Sequence, residues 1–308
     1  MSADAFSIDR ETSEEGAFRR QDSRFRDTDV EPVAGRYHLY VSWACPWACR
    51  TVIARMLTGT QEALPMSIVA PLRDARGWRF TGGEYVDQAE GAEFLSELYA
   101  RTDPGFDGRV SVPVLWDTAE RRIVNNESAD ILRMFSTGGL AELATRRAGL
   151  YPEALRDEID ELNERIYDDV NNAVYKAGFT TSQAIYDAEV AGLFAMLDEL
   201  DERLAERRYL FGDQPVETDW RLFTTLVRFD PVYAIHFKCS RRRIVDYPSL
   251  WPYLRDLYQR PGIAATVRMD DIRQHYYRTH PAINPSGIVA VAPDIDLRAP
   301  HGRERLGS

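Results

Sequence analysis

Apolar side chains alternate with other residues over positions 36–42, where Tyr37, Leu39 and Val41 recur at every second place. A period of two predicts a β-strand, in which successive side chains point to opposite faces. Residues 1–35 before it carry mixed charge without a sustained period. We therefore interpret residues 1–35 as an irregular N-terminal arm and expect regular structure to begin at the strand.

The period changes directly after this strand, in WACPWACRTVIARMLTG. Apolar residues between positions 52 and 57 recur at helical spacing. Pro46 suits the first position of a helix, because its missing N–H has no partner there in any case. Gly59 is typical of the residue that ends a helix. The segment predicts a strand followed by a helix, with Cys45 at the junction.

Strand and helix patterns then alternate up to residue 137. We predict a strand at 66–70, a loop over 72–90, a helix with Phe94, Leu95, Leu98 and Tyr99 on one face, a hairpin of 110–117 and 121–125, and a helix over 127–135. This order is typical of a small α/β domain, here residues 36–137. Pro113 lies inside the first hairpin strand, where it cannot donate to a ladder, so we expect an edge or a special turn there.

Helical periodicity dominates from residue 151 onward, after a linker predicted at 138–150. The predicted helices cover 152–173, 182–206, 219–229 and 248–258, with short breaks at 176–180 and 211–215. We assign residues 151–283 to an all-helical domain and residues 284–308, rich in Gly and Pro, to a tail that wraps the surface. The predicted fold class is an α/β N-terminal domain followed by an all-α C-terminal domain.

Composition and charge narrow the classes of function. The 308 residues include 38 basic and 49 acidic ones, and the net charge of −11 argues against nucleic acid or an anionic membrane as the main partner. No stretch approaches the roughly 18 apolar residues of a membrane-spanning helix. The charged N-terminus lacks the apolar core of a signal peptide, so we expect a cytoplasmic protein.

Cys45 is the strongest candidate for chemistry. A cysteine before Pro at the start of a helix meets free N–H groups and the positive end of the helix dipole, both of which favour a thiolate. In such places the pKa of cysteine falls from about 8.5 to roughly 3.5–7.5. We expect Cys45 at the N-cap, with its sulfur accepting hydrogen bonds from the first turn. The alternative is a small buried side chain, which is common for free cysteine.

The other two cysteines are weaker candidates, since three are too few for a disulfide framework. Cys49 lies one helical turn after Cys45 and could act as a resolving thiol. The geometry is marginal, because residues one turn apart have nearly parallel side-chain directions, and a packed core residue is the favoured interpretation. Cys239 lacks a helix-start context, and we interpret it as structural. The five scattered His and the cysteine spacing do not predict a metal site.

Several long strings in the chain resemble one protein family. They are YHLYVSWACPWACR, GRVSVPVLWD, NNESADILRMF, IYDDVNNAVYKAGF, RFDPVYAIHFKC and HYYRTHPAINPSGI. With these strings the chain resembles the glutathionyl-hydroquinone reductases, the xi class of the glutathione transferase superfamily, over almost its whole length. The resemblance implies a thioredoxin-like N-terminal domain, a helical C-terminal domain and a homodimer. It also implies reductive removal of glutathione from S-glutathionylated hydroquinones, with glutathione as co-substrate and without a metal.

The resemblance assigns residues to glutathione. The Val112–Pro113 bond would be the cis peptide of thioredoxin-like folds, whose backbone pairs with the cysteinyl part. Glu127 suits the γ-glutamyl ammonium and Ser128 its carboxylate, at the start of a helix. Trp78 and Arg109 match the remaining contacts. Taken alone, Ser128 is an ordinary helix cap and Trp78 a core or loop anchor.

The resemblance assigns the chemical steps as well. The Cys45 thiolate would attack the thioether sulfur, and a second glutathione would resolve the mixed disulfide. Tyr175, Tyr233 and Tyr276 match the family's active-site tyrosines, with Tyr175 as the proton donor and the other two tuning Cys45. Taken alone, each is a half-buried aromatic residue with a satisfied hydroxyl. The remaining aromatic residues would form an apolar slot for the quinol ring.

One departure and two alternatives stay open at this point. The family usually has His where this chain has Cys49, so the residue is either a tolerated replacement or a second thiol. The first alternative function is an omega-type thiol transferase or dehydroascorbate reductase, which shares the catalytic cysteine. The second is a binding module of transferase fold without activity, which retention of Cys45 with Glu127 and Ser128 disfavours.

Overall fold

The structure is a computed structural model that describes residues 11–307, which fall into two compact units. Within the described part, the first unit comprises 20–148 and 266–279, and the second comprises 11–19, 149–265 and 280–307. The first ten residues of the predicted arm and the last residue of the predicted tail lie outside the described residues. The domain boundaries drawn from the sequence stay predictions.

The first unit is built on a four-stranded mixed sheet in the order β2-β1-β3-β4. Strand β1 (Tyr37–Val41) runs parallel to β2 (Met66–Ile68) and antiparallel to β3 (Val114–Asp117), and β4 (Arg122–Asn125) pairs antiparallel with β3. All five residues of β1 are buried, so both faces of the sheet are covered. One parallel and two antiparallel pairings, with helices between them, make this unit thioredoxin-like.

The helices of the first unit follow the predicted order of elements. They are α1 (Pro46–Thr58), α2 (Ser96–Thr102), α3 (Ser128–Met134) and α4 (Gly139–Glu142). Helix α1 ends at Gly59, whose φ of 69° lies in the left-handed region that glycine adopts without strain. The predicted order β-α-β-α-β-β-α is confirmed up to α3, and α4 is an additional short helix inside the predicted linker 138–150.

The predicted arm is shared between the units. Residues 20–35 belong to the first unit, where Asp27 N donates to Val124 O at 3.1 Å and Asn126 N donates to Phe25 O at 2.9 Å. These bonds cover the outer edge of β4, which would otherwise present unpaired backbone groups. Residues 11–19 belong to the second unit, where Gly16 O accepts the hydroxyl of Thr180 at 2.7 Å.

The second unit contains helices and no strand longer than an isolated bridge among its described residues. The helices are α5 (Arg156–Ile166), α6 (Ala173–Phe179), α7 (Gln183–Arg203), α8 (Glu217–Arg228) and α9 (Leu250–Gln259). Two π-helical segments interrupt them, Tyr167–Asn171 after α5 and Phe229–Tyr233 after α8. The all-helical class predicted for this region is confirmed.

The break predicted at 176–180 was wrong for most of its length, because α6 continues to Phe179. Gly178 lies inside that helix. A Cβ built on Gly178 would come within 2.3 Å of the Phe237 ring, so glycine is required there by close packing.

Helix α10 (Met269–Thr279) lies in the sequence range that we predicted as part of the helical domain, yet it packs within the first unit. His275 Nδ1 donates to Pro71 O at 2.7 Å, and the Tyr85 hydroxyl donates to Asp271 at 3.0 Å. Pro71 directly precedes the predicted loop 72–90, and Tyr85 lies within it. The apolar pattern could not reveal this placement, because the two groups in the first bond are 204 residues apart.

The C-terminal tail is anchored on the second unit by one buried guanidinium. Arg303 is 3% exposed, and it donates to the carbonyl oxygens of Leu204 at 3.0 Å, Arg208 at 2.8 Å and Arg207. These carbonyls lie just after α7, where backbone acceptors lack helical partners. Across residues 11–307, the structure has no helix that is long and apolar enough to cross a membrane.

Candidate functional site

Cys45 lies at the end of the connection between β1 and α1, as the N-cap residue with Pro46 at the first helical position. Its side chain is half-buried. The thiol donates to Val112 O, with Sγ 3.5 Å from that oxygen. The expected capping hydrogen bond from the first turn to the sulfur is not formed in the described chain, because the thiol is directed at the Val112 carbonyl.

The Val112–Pro113 peptide bond is cis, as the resemblance implied, and it directly precedes β3. Its position is supported by Tyr99, whose hydroxyl donates to Ser111 O at 2.8 Å and accepts from Asn126 Nδ2 at 3.1 Å. One buried hydroxyl thus connects the segment before Val112 to the residue before Glu127, and burial raises the pKa of Tyr99. The sequence indicated only that Tyr99 lies on an apolar helix face.

Glu127 is the N-cap of α3, and Ser128 is its first residue. Glu127 Oε1 accepts from Ala129 N at 3.0 Å and from the Ser128 hydroxyl at 3.4 Å. Ser128 is 3% exposed and accepts from Arg50 Nη1 at 3.5 Å. The structure therefore brings the two predicted γ-glutamyl contacts together and adds a buried cation to them.

Arg50 is the residue of this group that the sequence analysis missed. It is 2% exposed, and its guanidinium lies 4.5 Å from the centroid of the Trp47 ring. The Arg20 guanidinium of the arm lies 4.7 Å from the same centroid. A planar guanidinium stacks favourably on indole, which keeps its charge close to Ser128. The signal in the sequence was an arginine one turn into α1, and that spacing does not reveal contact with α3.

Arg109 and Trp78 lie in loops of the first unit. The backbone N–H of Arg109 donates to Gln21 Oε1 of the arm at 2.8 Å, which fixes the loop that carries the guanidinium. Trp78 is 3% exposed and stacks on His275 with ring centroids 4.9 Å apart. Arg73 lies over the same indole at 5.1 Å. This burial favours the alternative interpretation of Trp78 as an anchor for its loop.

The three predicted tyrosines divide between the units. Tyr276 lies on α10 in the first unit, the unit of Cys45, and is 2% exposed. Tyr175 and Tyr233 lie in the second unit with ring centroids 6.0 Å apart. Tyr175 follows one π-helical segment, and Tyr233 ends the other. Such distortions are frequent at functional sites.

The second-unit tyrosines belong to an aromatic cluster. We define it as Tyr175, Tyr233, their ring neighbours Phe18, Phe179 and Phe237, and His280, which packs against Phe179. Tyr233 stacks on Phe237 at 5.5 Å and 10°. The apolar slot that we expected for a quinol ring stays a prediction.

The three cysteines all lie within residues 11–307, and none of them forms a disulfide there. Cys49 is 3% exposed, and its Sγ lies 3.8 Å from Thr266 O, to which the thiol donates. This packing favours the core interpretation of Cys49. Burial raises the pKa of Cys239 to about 12, in keeping with a structural role. Among the same residues, no three His, Cys, Asp or Glu side chains are grouped so that they could hold a metal ion.

The family model for the glutathione S-transferase C-terminal domain matches residues 183–260. The chain is 54% identical over 87% of its length to the glutathionyl-hydroquinone reductase YqjG of Escherichia coli, of which it covers 83%. It is 42% identical to the glutathionyl-hydroquinone reductase PcpF of Sphingobium chlorophenolicum, over 90% of each chain.

Solved structures agree with these matches. The glutathione-bound structure of YqjG superimposes with a TM-score of 0.85 at 53% identity, over 88% of this chain and 89% of that one. The glutathione transferase Xi of Phanerochaete chrysosporium gives a TM-score of 0.88 at 43% identity, over 94% and 96% of the two chains. The chain therefore belongs to the glutathionyl-hydroquinone reductase family, the xi class of the glutathione transferases.

Proposed function

We propose that this enzyme reduces S-glutathionyl-hydroquinones to hydroquinones with glutathione. The Cys45 thiolate attacks the sulfur of the substrate thioether and forms an S–S bond. The C–S bond breaks, its electron pair stays with the ring, and the ring takes up one proton. The ring carbon is thereby reduced, and the two sulfur atoms reach the disulfide level of oxidation.

A second glutathione completes the turnover. Its thiolate attacks the glutathione sulfur of the mixed disulfide, releases the Cys45 thiolate, and leaves as oxidised glutathione. The reaction requires only one enzyme thiol, because the resolving thiol comes from solution. Cys49, buried against Thr266 O, is not needed for this balance.

The observation that carries the proposal is the placement of Cys45. Its sulfur lies at the N-cap of α1 and 3.5 Å from the carbonyl of Val112, beside the cis peptide. A thiolate is favoured at a helix start, and the extended backbone of a bound glutathione can pair with Val112 next to it. Family membership at 54% identity supports the choice of substrate.

We assign the glutathione contacts to residues of the first unit. We propose that Glu127 binds the γ-glutamyl ammonium and that Ser128, with Arg50 beside it, binds the carboxylate, as charge-assisted hydrogen bonds. We assign Arg109 to the second carboxylate of the tripeptide. Trp78 contributes through the loop that it anchors, in keeping with its burial against His275.

The tyrosines are assigned to proton transfer and to control of the thiolate. Tyr175 is our proposed proton donor to the departing quinol, and Tyr233 and Tyr276 stabilise the thiolate by hydrogen bonding. Tyr175 and Tyr233 share the aromatic cluster, whose apolar side chains suit a phenolic ring.

We propose a homodimer in the cytoplasm as the working form of the enzyme. Light scattering should then give twice the mass of the chain.

Mass spectrometry of the intact enzyme after mixing with glutathionyl-menadiol tests the proposal. We expect one glutathione adduct, mapped to Cys45 by peptide digestion, together with free menadiol. Excess glutathione should remove the adduct and yield oxidised glutathione. The Cys45→Ser variant should form neither product. An adduct on Cys49 or Cys239 in place of Cys45 would contradict the assignment.

Substrate competition distinguishes the omega-type alternative. We expect kcat/KM for glutathionyl-menadiol to exceed that for dehydroascorbate by at least about 100-fold, because only the phenolic substrate uses a tyrosine proton donor. A preference for dehydroascorbate would replace the proposed reaction by a thiol-transferase one. Absence of any turnover with Cys45 intact would favour a binding module.

A further inference from the structure

The N-terminal arm makes direct contact with the residues that we assign to glutathione. The hydroxyl of Ser23 donates to Glu127 Oε2 at 2.9 Å and lies 3.2 Å from Asn126 O. A hydroxyl has one proton, and the shorter contact to a charged acceptor is the stronger one. Two residues earlier, Gln21 accepts from the backbone of Arg109.

The arm holds Ser23 in place by several bonds. Phe25 N donates to Asn126 Oδ1 at 3.1 Å, and Asn126 N donates back to Phe25 O at 2.9 Å. Arg26 binds Asp130 through two parallel hydrogen bonds of 2.8 and 2.7 Å. The Phe25 ring packs against Tyr99 with centroids 5.8 Å apart. Ser23 is thus a fixed donor at the Glu127 carboxylate.

The hydrogen bonds of Glu127 show what the arm contributes. A carboxylate offers about four acceptor positions on its two oxygens. Ala129 N donates to Oε1, and Ser23 donates to Oε2. The Ser128 hydroxyl lies 3.4 Å from Oε1 and turns its single proton to the ligand carboxylate in the proposed complex. Both oxygens are then held, and acceptor capacity remains for one ligand cation. Without Ser23, Oε2 would lose the partner that orients it.

We infer that Ser23 is a positioning residue for glutathione: it orients the Glu127 carboxylate toward the γ-glutamyl ammonium and so makes the arm part of the glutathione site. This inference rests on the proposed function, specifically on Glu127 as a glutathione contact. A carboxylate that is already oriented binds its ligand without ordering a flexible side chain first. Ser23 acts on affinity and leaves the chemistry at Cys45 unchanged.

Calorimetry with S-methylglutathione, which lacks a free thiol, tests the inference in the intact enzyme. We expect Ser23→Ala to weaken binding about 3- to 10-fold, the effect of one side chain losing its preorganisation. The KM for glutathione should rise by a similar factor while kcat stays unchanged. Ser23→Thr keeps the hydroxyl and should restore affinity. The matched control is Arg24→Ala, because Arg24 binds Asp103 and Asp107 and not Glu127.

Glu127→Gln and the double variant separate this inference from the proposed function. Glu127→Gln should weaken binding more than Ser23→Ala, and Ser23→Ala should have no further effect when it is combined with Glu127→Gln. If Glu127→Gln leaves affinity unchanged, the glutathione assignment of the proposed function fails, and this inference fails with it. If Glu127→Gln weakens binding but Ser23→Ala does not, or if Arg24→Ala weakens it equally, only this inference is overturned.

Discussion

At the scale of single residues, the two cysteines of α1 illustrate how position decides chemistry. Cys45 is half-buried at the helix start, whereas Cys49 is buried one turn later against Thr266 O. Only the first has both access and the electrostatic environment of a helix N-terminus. The packing of Cys49 favours its interpretation as a core residue and not as a second thiol.

Serine substitutions of the two cysteines should differ sharply in their effect on the rate of deglutathionylation. Cys49→Ser should keep deglutathionylation of glutathionyl-menadiol within about threefold of the parent, and Cys45→Ser should remove it, because the mechanism needs one enzyme thiol. Steady-state rates measured with equal amounts of folded protein give the comparison. Equal loss in both variants would make Cys49 a second essential thiol.

Tyr175→Phe removes the proposed proton donor and retains the ring in the aromatic cluster. We expect kcat for glutathionyl-menadiol to fall about 100-fold or more, the usual contribution of a positioned acid. The rate at which glutathione removes an adduct preformed on Cys45 should not change, since that step transfers no proton to the quinol ring. Single-turnover kinetics separate the two steps. An unchanged kcat would mean that another residue donates the proton.

At the scale of elements, the π-helical segments and Gly178 determine how the aromatic cluster is built. Tyr175 follows the segment Tyr167–Asn171, and Tyr233 ends the segment Phe229–Tyr233. The Asn171 side chain donates to the Thr225 hydroxyl at 2.7 Å, which connects the first segment to α8. Helix α6 passes the Phe237 ring at a distance that only glycine permits.

Two Gly→Ala changes in neighbouring helices should have opposite effects. In Gly178→Ala, a gain of up to about 1 kcal/mol in helix propensity is exceeded by an overpacking penalty of about 1–3 kcal/mol. A Cβ at Gly192 on α7 meets no atom within 4 Å. Gly192→Ala should therefore stabilise the protein by up to about 1 kcal/mol. Urea unfolding measures both, and equal shifts would contradict the packing argument.

At the scale of the whole molecule, buried histidines link stability to pH in both units. Burial lowers the pKa of His38 to about 4, and burial, with Lys238 nearby, lowers the pKa of His236 to about 4. In the unfolded chain both titrate near 6.5. The folded state binds fewer protons between these values, so stability is complete above about pH 6.5 and is lost as the pH falls toward 4.

His38→Gln should make the first unit less sensitive to acid. Between pH 7 and pH 5 the parent should lose about 1–2 kcal/mol of unfolding free energy through this histidine, and the variant should lose that much less. Ser67→Ala is the control, because it removes the group 2.8 Å from His38 Nε2 and keeps the imidazole. Urea titrations at pH 7 and pH 5 measure the free energy of unfolding of each protein. Identical pH dependence of stability in His38→Gln and the parent would contradict the lowered pKa of His38.

Local features were predictable from the sequence because their causes are local. The alternation at 36–42, Pro46 and Gly59 determined β1 and α1 and hence the helix-start position of Cys45. The order of elements up to α3 followed from the same periodicities. The family was evident from long strings of sequence, and the comparisons confirmed it.

The tertiary structure decided whatever depends on residues far apart in the chain. It placed α10 in the first unit, brought Arg50 to Ser128, buried Trp78 against His275, and joined Ser23 of the arm to Glu127. It also placed Gly178 against the Phe237 ring, where the sequence predicted a break at 176–180. Spacing along a chain specifies which face of an element is apolar, but the partner of that face is chosen only by packing.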